Sequence, residues 1–319
     1  MIKLFYKETG VFLIYPLKLK PVFKDYIWGG QKLNRDFSMK SGFNKTAEAW
    51  LLSCHNDGMS VIQNGIFKNM PLQDFIEKYP QYAGICCAEK FPLIIKLIDA
   101  CDNLSVQVHP SSAENCKNEM WYVIDCEENS RILYGVKNPI SKQQLEENIR
   151  NNTVADIMNS IPVKKGDVFY IKAGTLHAIG KGILIAEIQQ NSNVTYRVFD
   201  YNRKDSDGNA RPLHIAQALE CADLNPPQEL YHKTSVHKNT EILNECSFFS
   251  VYLLSVDGTH VIHSDSSSFT SMIILEGDGY VSEINKINAE HFRKGDSFFL
   301  SAGCDYKITG KSKIILTKV

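Results

Sequence analysis

The chain has 319 residues, of which 44% are hydrophobic, and its 35 basic and 36 acidic side chains leave a formal net charge of -1. That length suits about two domains of ordinary size. The composition excludes general disorder and any bulk field drawing nucleic acid or an anionic membrane, but allows a small anionic substrate held by local cations.

Nine cysteines, an odd number without a C-x-x-C pair, read as reduced thiols of a cytoplasmic protein. Cys86 and Cys87 are adjacent and cannot readily form a zinc clip. The N-terminus lacks the long apolar run and small-residue cleavage site of a signal peptide. No stretch approaches the ~18 apolar residues of a membrane span.

Residues 1–15 read as an irregular N-terminal extension and 16–65 as short strands and turns. Within the latter, Trp28-Gly29-Gly30 reads as a turn beside a packed tryptophan. Glu48-Ala49-Trp50-Leu51-Leu52-Ser53 reads as an ordinary strand. Pro71 to Cys87 is helix-like, with Leu72, Phe75, Ile76 and Tyr79 at helical spacing and an interruption at Pro80. Phe91 to Ala100 is short, apolar and rich in β-branched residues, the pattern of a buried strand. Lys96 in its middle must snorkel out, pair, or face a polar site.

In Leu104-Ser105-Val106-Gln107-Val108-His109-Pro110, alternation sends Gln107 and His109 to one face and Val106 and Val108 to the other. Glu119 opens the next apolar run, and Gly174-Thr175-Leu176-His177-Ala178 supplies a second imidazole. A lone strand histidine is more often packed or exposed than a ligand. Two histidines, a carboxylate and an amide together suit a divalent metal such as zinc.

Ser141 to Ser160 reads as a helical insert opened by a Ser141/Gln144 capping box and closed by Pro162. Strands are expected at Val168–Ile171, at 182–188 and at 193–201, where Arg197 is the charged exception. A short helix is expected at 213–222, and Pro226-Pro227 marks a boundary. The last third is β-rich and repeats an earlier segment. Lys165 through His177 matches Lys294 through Tyr306 at a constant offset of 129 (166 to 295, 174 to 303). His177 in the first copy becomes Tyr306 in the second, which also lacks a Gln-x-His partner. The expected fold is mainly β: two jelly-roll sandwich or barrel domains with a small helical insert. Residues 16–225 would form the metal-binding roll, with its insert at about 141–160, and 226–319 a roll without metal ligands.

Thr309-Gly310-Lys311-Ser312 imitates the end of a P-loop, but Asp305 stands where its first glycine belongs. No Gly-x-Ser-x-Gly elbow or dinucleotide fingerprint occurs. His214, His232, His237, His260, His263 and His291 have no ligand spacing.

The segments Trp28-Gly29-Gly30, Phe91 to Lys96, Gln107 to Pro110, Lys117 to Tyr122, Gly174 to Ala178 and Glu187 to Arg197 resemble, in order, the type I mannose-6-phosphate isomerases in their short bacterial form. The resemblance runs from about residue 16 to 319 and is most specific over 104–203. It implies cupin jelly rolls, one zinc per chain and interconversion of mannose 6-phosphate with fructose 6-phosphate. It also implies zinc ligands at Gln107, His109, Glu119 and His177, with Lys96, Lys117, Glu187 and Arg197 lining the site. Arg203 falls where a cation near the substrate phosphate is expected, alongside Arg197. An iron-dependent cupin oxygenase and a non-catalytic sugar-phosphate sensor are the competing readings.

Overall fold

A computed structural model describes residues 15–84, 90–112, 114–204, 207–228, 235–237 (backbone), 239–284, 286 and 288–319. Residues 1–14 of the expected extension, Cys86, Cys87, His232 and the His237 side chain lie outside the described residues.

The first roll pairs two antiparallel sheets. The six-stranded sheet runs, in spatial order, Val168–Ile171, Glu119–Cys126, Ile183–Gln190, Leu93–Ala100, Glu48–Ser53 and Val22–Lys24. The five-stranded sheet runs Tyr196–Phe199, Val106–Val108, His177–Ile179, Arg131–Val136 and Met158–Pro162. Between them lie Ile98, Trp121, Val123, Phe169, Ile185, Ile132, Tyr134 and Ile179.

The other face of the six-stranded sheet is covered too. Leu93, Ile95, Leu97, Met120, Tyr122, Leu184, Ala186 and Ile188 pack with Leu253, Ile273, Phe299 and Ile315 of the C-terminal roll. A sheet buried on both faces explains why Leu93–Ala100 reads as an unbroken apolar run and is buried at every position. The five-stranded sheet is capped by helices. Val106, Val108, Ala178 and Val198 pack under Leu145 and Ile149 of the helix Lys142–Arg150 and under Ala218 of the helix Ile215–Cys221. The outward Val106 and Val108 and the inward Gln107 are therefore as alternation requires.

The C-terminal roll is a nine-stranded sheet built on the long strands Ser250–Ile262, Thr270–Glu283 and Tyr306–Lys318. It also recruits Leu17–Lys20 and Val61–Ile62, with Leu17 paired to Phe299. The sheets thus do not follow the expected boundary at 225/226: Leu17–Lys20, at the start of the expected first domain, pairs into the sheet of the second roll. The helical insert is shorter than expected. Its capping box forms, with Ser141 Oγ accepting from Gln144 N at 3.1 Å and Gln144 Oε1 from Ser141 N at 2.8 Å. Met158–Pro162, however, is a strand paired with Arg131–Val136. Ladder bonding wins there over helical spacing. The 193–201 strand shortens to Tyr196–Phe199, and Val194 O is used instead by the His109 ring.

Candidate active site

On the inner face of the six-stranded sheet each strand changes character along its length. Val123, Ile185 and Ile98 close one end of the roll. Two or four residues further along the same face stand Glu119, Glu187 and Lys96. Register aligns them, with Glu187 opposite both Lys96 and Trp121, and Lys96 opposite Trp50. From the facing sheet, Gln107 lies opposite both His177 and Arg197. The polar ends of two sheets thus frame one cavity of about 280 Å³, lined among others by Glu48, Lys96, Gln107, Lys117, Glu187 and Arg197.

His109, Glu119 and His177 form one buried group whose donor atoms lie within 4.8 Å of one another, an arrangement that could hold a metal ion. Both rings are tied from behind. His109 Nδ1 donates to Val194 O at 2.9 Å and His177 Nδ1 to Thr175 O at 2.8 Å. A carbonyl can only accept, so both Nδ1 atoms carry the proton and both Nε2 lone pairs face inward. His109 Nε2 lies 3.3 Å from Glu119 Oε2, and His177 Nε2 lies 3.6 Å from Glu119 Oε1. Burial, then the Lys117 ammonium, pushes the His109 pKa down to about 4, and burial lowers that of His177.

Burial opposes ionisation of Glu119, but the Lys117 ammonium counters it and the carboxyl is held well below its usual range. The group is therefore two neutral imidazoles facing a carboxylate, all acceptors. Lys117 Nζ reaches Glu119 Oε2 at 2.9 Å and His109 Nε2 at 3.0 Å. Even so, Glu119 Oε2 accepts no hydrogen bond of good geometry. Buried acceptors converging on one point suit a divalent cation of nitrogen and oxygen preference. The Gln107 amide borders the group, 3.2 Å from His177 Nε2.

A second charged chain leads away from this group. Trp121 Nε1 donates to Glu119 Oε1 at 3.0 Å and to Glu187 Oε2 at 3.2 Å. Glu187 Oε1 lies 3.2 Å from Lys96 Nζ, which in turn lies 3.7 Å from Glu48 Oε2. Burial alone would lower the Lys96 pKa; the carboxylates of Glu48 and Glu187 reverse that and raise it. Lys96 is thus a fixed ammonium: of the outcomes its sequence position left open, it pairs and faces a polar site rather than snorkelling out. Glu187 Oε1 is a buried acceptor without a hydrogen bond of good geometry.

Of the residues expected from sequence, Lys96, Gln107, Lys117, Glu187 and Arg197 line the cavity, and His109, Glu119 and His177 lie behind it, in contact with its lining residues Gln107 and Lys117. Arg203 is placed differently: it grips Asp200 and the Asn103 carbonyl and is not among the lining residues. Tyr26, Trp28, Glu48 and Arg211 also line the cavity. Glu48 had a signal, since like Glu119 it is an acid opening an apolar run. Trp28 sits there because the next two residues lack side chains: a Cβ on Gly29 would lie 2.7 Å from the Ala47 backbone. Arg211 had no local signal.

Residues 16–131 match the family model for the phosphomannose isomerase type I catalytic domain, and 238–319 that for the mannose-6-phosphate isomerase cupin domain. The mannose-6-phosphate isomerase ManA of Bacillus subtilis is 36% identical, over 95% of this chain and 98% of its own. A Streptococcus mutans mannose-6-phosphate isomerase is 36% identical over 89% and 92%. A crystal structure of the Bacillus subtilis mannose 6-phosphate isomerase superposes with a TM-score of 0.85 at 34% identity, covering 95% of this chain and 99% of that one. A variant of phosphomannose isomerase from Salmonella typhimurium shares the fold, with a TM-score of 0.78 at 14% identity over 95% and 99%. With its acceptor cluster, its cavity and relatives of this identity over nearly its whole length, the chain belongs to the type I mannose-6-phosphate isomerase family.

Proposed function

We propose that the chain interconverts mannose 6-phosphate and fructose 6-phosphate through a cis-enediol, with one zinc ion per chain held by Gln107, His109, Glu119 and His177. The observation that carries the metal assignment is the convergence of buried acceptors: two carbonyl-tied imidazoles and a carboxylate with an oxygen that accepts no good hydrogen bond. Bound zinc would supply Lewis acidity to the sugar's carbonyl and neighbouring hydroxyl.

The residues around it supply the rest. The C2–H bond of the open-chain aldose breaks, its proton goes to a base and O1 gains a proton, giving the enediol; O2 then loses its proton as the base returns one to C1, which gives the ketose. Glu187 is assigned the base, because its Oε1, although 3.2 Å from Lys96 Nζ, is a buried acceptor at the cavity wall that takes no hydrogen bond of good geometry. Lys96 is a poor base for the reason that makes it a good electrostatic partner: two carboxylates hold its proton. With Lys117 it stabilises negative charge developing on the enediol oxygens. The phosphate end is assigned to the arginine cluster near Asp200, of which the expected Arg197 lines the cavity. A cytoplasmic location is part of the proposal; the seven described cysteines are free thiols, as a reducing compartment keeps them.

The test is a coupled assay with mannose 6-phosphate, with and without chelator. Chelation should abolish turnover and zinc should restore it. Full turnover by metal-free protein would sink the proposal, and oxygen uptake by iron-loaded protein would favour an oxygenase instead.

A further inference from the structure

Three guanidinium groups gather near one buried carboxylate beside the cavity. Asp200 is only 6% exposed. Arg203 spends all three nitrogens nearby: Nη2 on Asp200 Oδ1 at 2.6 Å, Nε on the Asp200 carbonyl at 3.2 Å, and Nη1 on Asn103 O at 2.5 Å. Arg211 donates Nε to Asp200 Oδ2 at 2.8 Å and Nη2 to Oδ1. Its Nη1 has no hydrogen-bond partner among the described residues, and Arg211 lines the cavity. Arg197, on the same wall, places Nε on Ser105 Oγ at 3.3 Å and Nη1 on Pro212 O at 3.0 Å. Its Nη2 has no partner among the described residues. Because Pro212 follows Arg211, this bond fixes the backbone of one cation to the side chain of the other. The exposed Asp102 carboxylate also lies 3.5 Å from Arg203 Nη1. Three guanidinium groups against two carboxylates leave one positive charge in excess, carried on the cavity side by Arg197 and Arg211, where a phosphate would be attracted.

We propose that Arg211, with Arg197, contacts the substrate phosphate, and that Arg203 is a positioning residue that acts through Asp200. The assignment rests on the sugar-phosphate reading above. Every Arg203 nitrogen is already engaged and Arg203 does not line the cavity, whereas Arg211 and Arg197 line it and each keep a whole nitrogen without a partner among the described residues. Asp200 is the shared anchor: it takes two nitrogens of Arg211 and orients the third.

The test measures inorganic phosphate binding by calorimetry and mannose 6-phosphate kinetics on zinc-loaded protein, with metal content as a control. Arg211→Ala should weaken phosphate binding and raise KM by about tenfold to a hundredfold, as expected for lost charge-assisted hydrogen bonds. Its kcat and metal content should change little. Arg211→Lys should recover part of the loss, since a point charge remains without the planar fork. In an Asp200→Asn background Arg203→Ala should add nothing, while Arg211→Ala should still weaken binding. Unchanged phosphate affinity in Arg211→Ala overturns the assignment, as does a larger loss in Arg203→Ala or an absence of phosphate binding by the wild type. If the wild type binds phosphate through Arg211 but does not isomerise mannose 6-phosphate, the sugar reading fails and the phosphate assignment stands.

Discussion

The two rolls share a scaffold down to individual backbone bonds and differ in what they put inside it. Gly166 and Gly295 both adopt positive φ, at 94° and 90°. Asp167 and Asp296 each accept from the backbone N–H three residues earlier, at 2.8 and 2.9 Å. Gly166 N reaches Val123 O as Gly295 N reaches Ile274 O. The following strands pair alike, Ile171 with Glu119 and Leu300 with Thr270. His177 lies opposite Gln107, and Tyr306 lies opposite Ile262. Glu187 lies opposite Trp121, and Leu316 opposite Met272.

Position by position, Gln107, Glu119, His177 and Glu187 of the first roll are thus an isoleucine, a threonine, a tyrosine and a leucine in the second. Ile262, Met272, Tyr306 and Leu316 belong to one packed core with Phe298 and Ile308. The Tyr306 hydroxyl is used structurally, accepting from Ser301 N at 2.9 Å. The jelly roll neither requires a metal nor creates a site; a few inward positions decide whether its mouth is a core or a reaction chamber.

Substitutions can break this comparison, and the largest effect belongs to His177→Ala. It should release the metal and lower kcat/KM by roughly 1000-fold or more, the several kcal/mol a Lewis acid supplies. Tyr306→Ala should keep the metal and instead cost about 3–5 kcal/mol of stability through a core cavity, as other aromatic truncations do. Metal analysis alongside thermal melting separates the two, and equal metal loss would end the reading of the repeat. Next comes Glu187→Gln. Loss of a general base should lower kcat by about 100-fold or more with metal content intact. Solvent proton exchange into C2 during turnover should fall with it, and undiminished exchange would remove Glu187 from the role.

A smaller effect is expected of Tyr306→Phe. It leaves the buried Ser301 N–H without its acceptor, worth about 1–3 kcal/mol in a urea melt, with isomerase activity unchanged. The smallest is a pH effect at Asp200. Burial raises its pKa, but hydrogen bonds from Arg211 and Arg203 outweigh this and hold it below the usual value. A lowered folded-state pKa stabilises above the unfolded value of about 4 and is lost as pH falls through the folded one. The melting-temperature gap between wild type and Asp200→Asn should therefore be full at neutral pH and close in acid. A gap that widens in acid would contradict the sign.

Much of this was legible in the chain. Period-two alternation put Gln107 inward and Val106 and Val108 outward, because strand geometry leaves a side chain only two directions. The unbroken run 93–100 announced a sheet covered on both faces, and Lys96 within it announced a polar partner. The Gly-Asp repeat exposed two copies of one scaffold, since turns with positive φ and a side-chain-to-backbone bond restrict residue choice tightly. What sequence could not supply was any pairing between distant strands. That Glu48 meets Lys96, that Leu17 completes the far roll, that Met158 joins a sheet rather than a helix, and that Arg211 lines the cavity while Arg203 turns to Asp200 all depend on which segments lie side by side. Local patterning reports a residue's face; only the packed register reports its neighbour, and a site is made of neighbours.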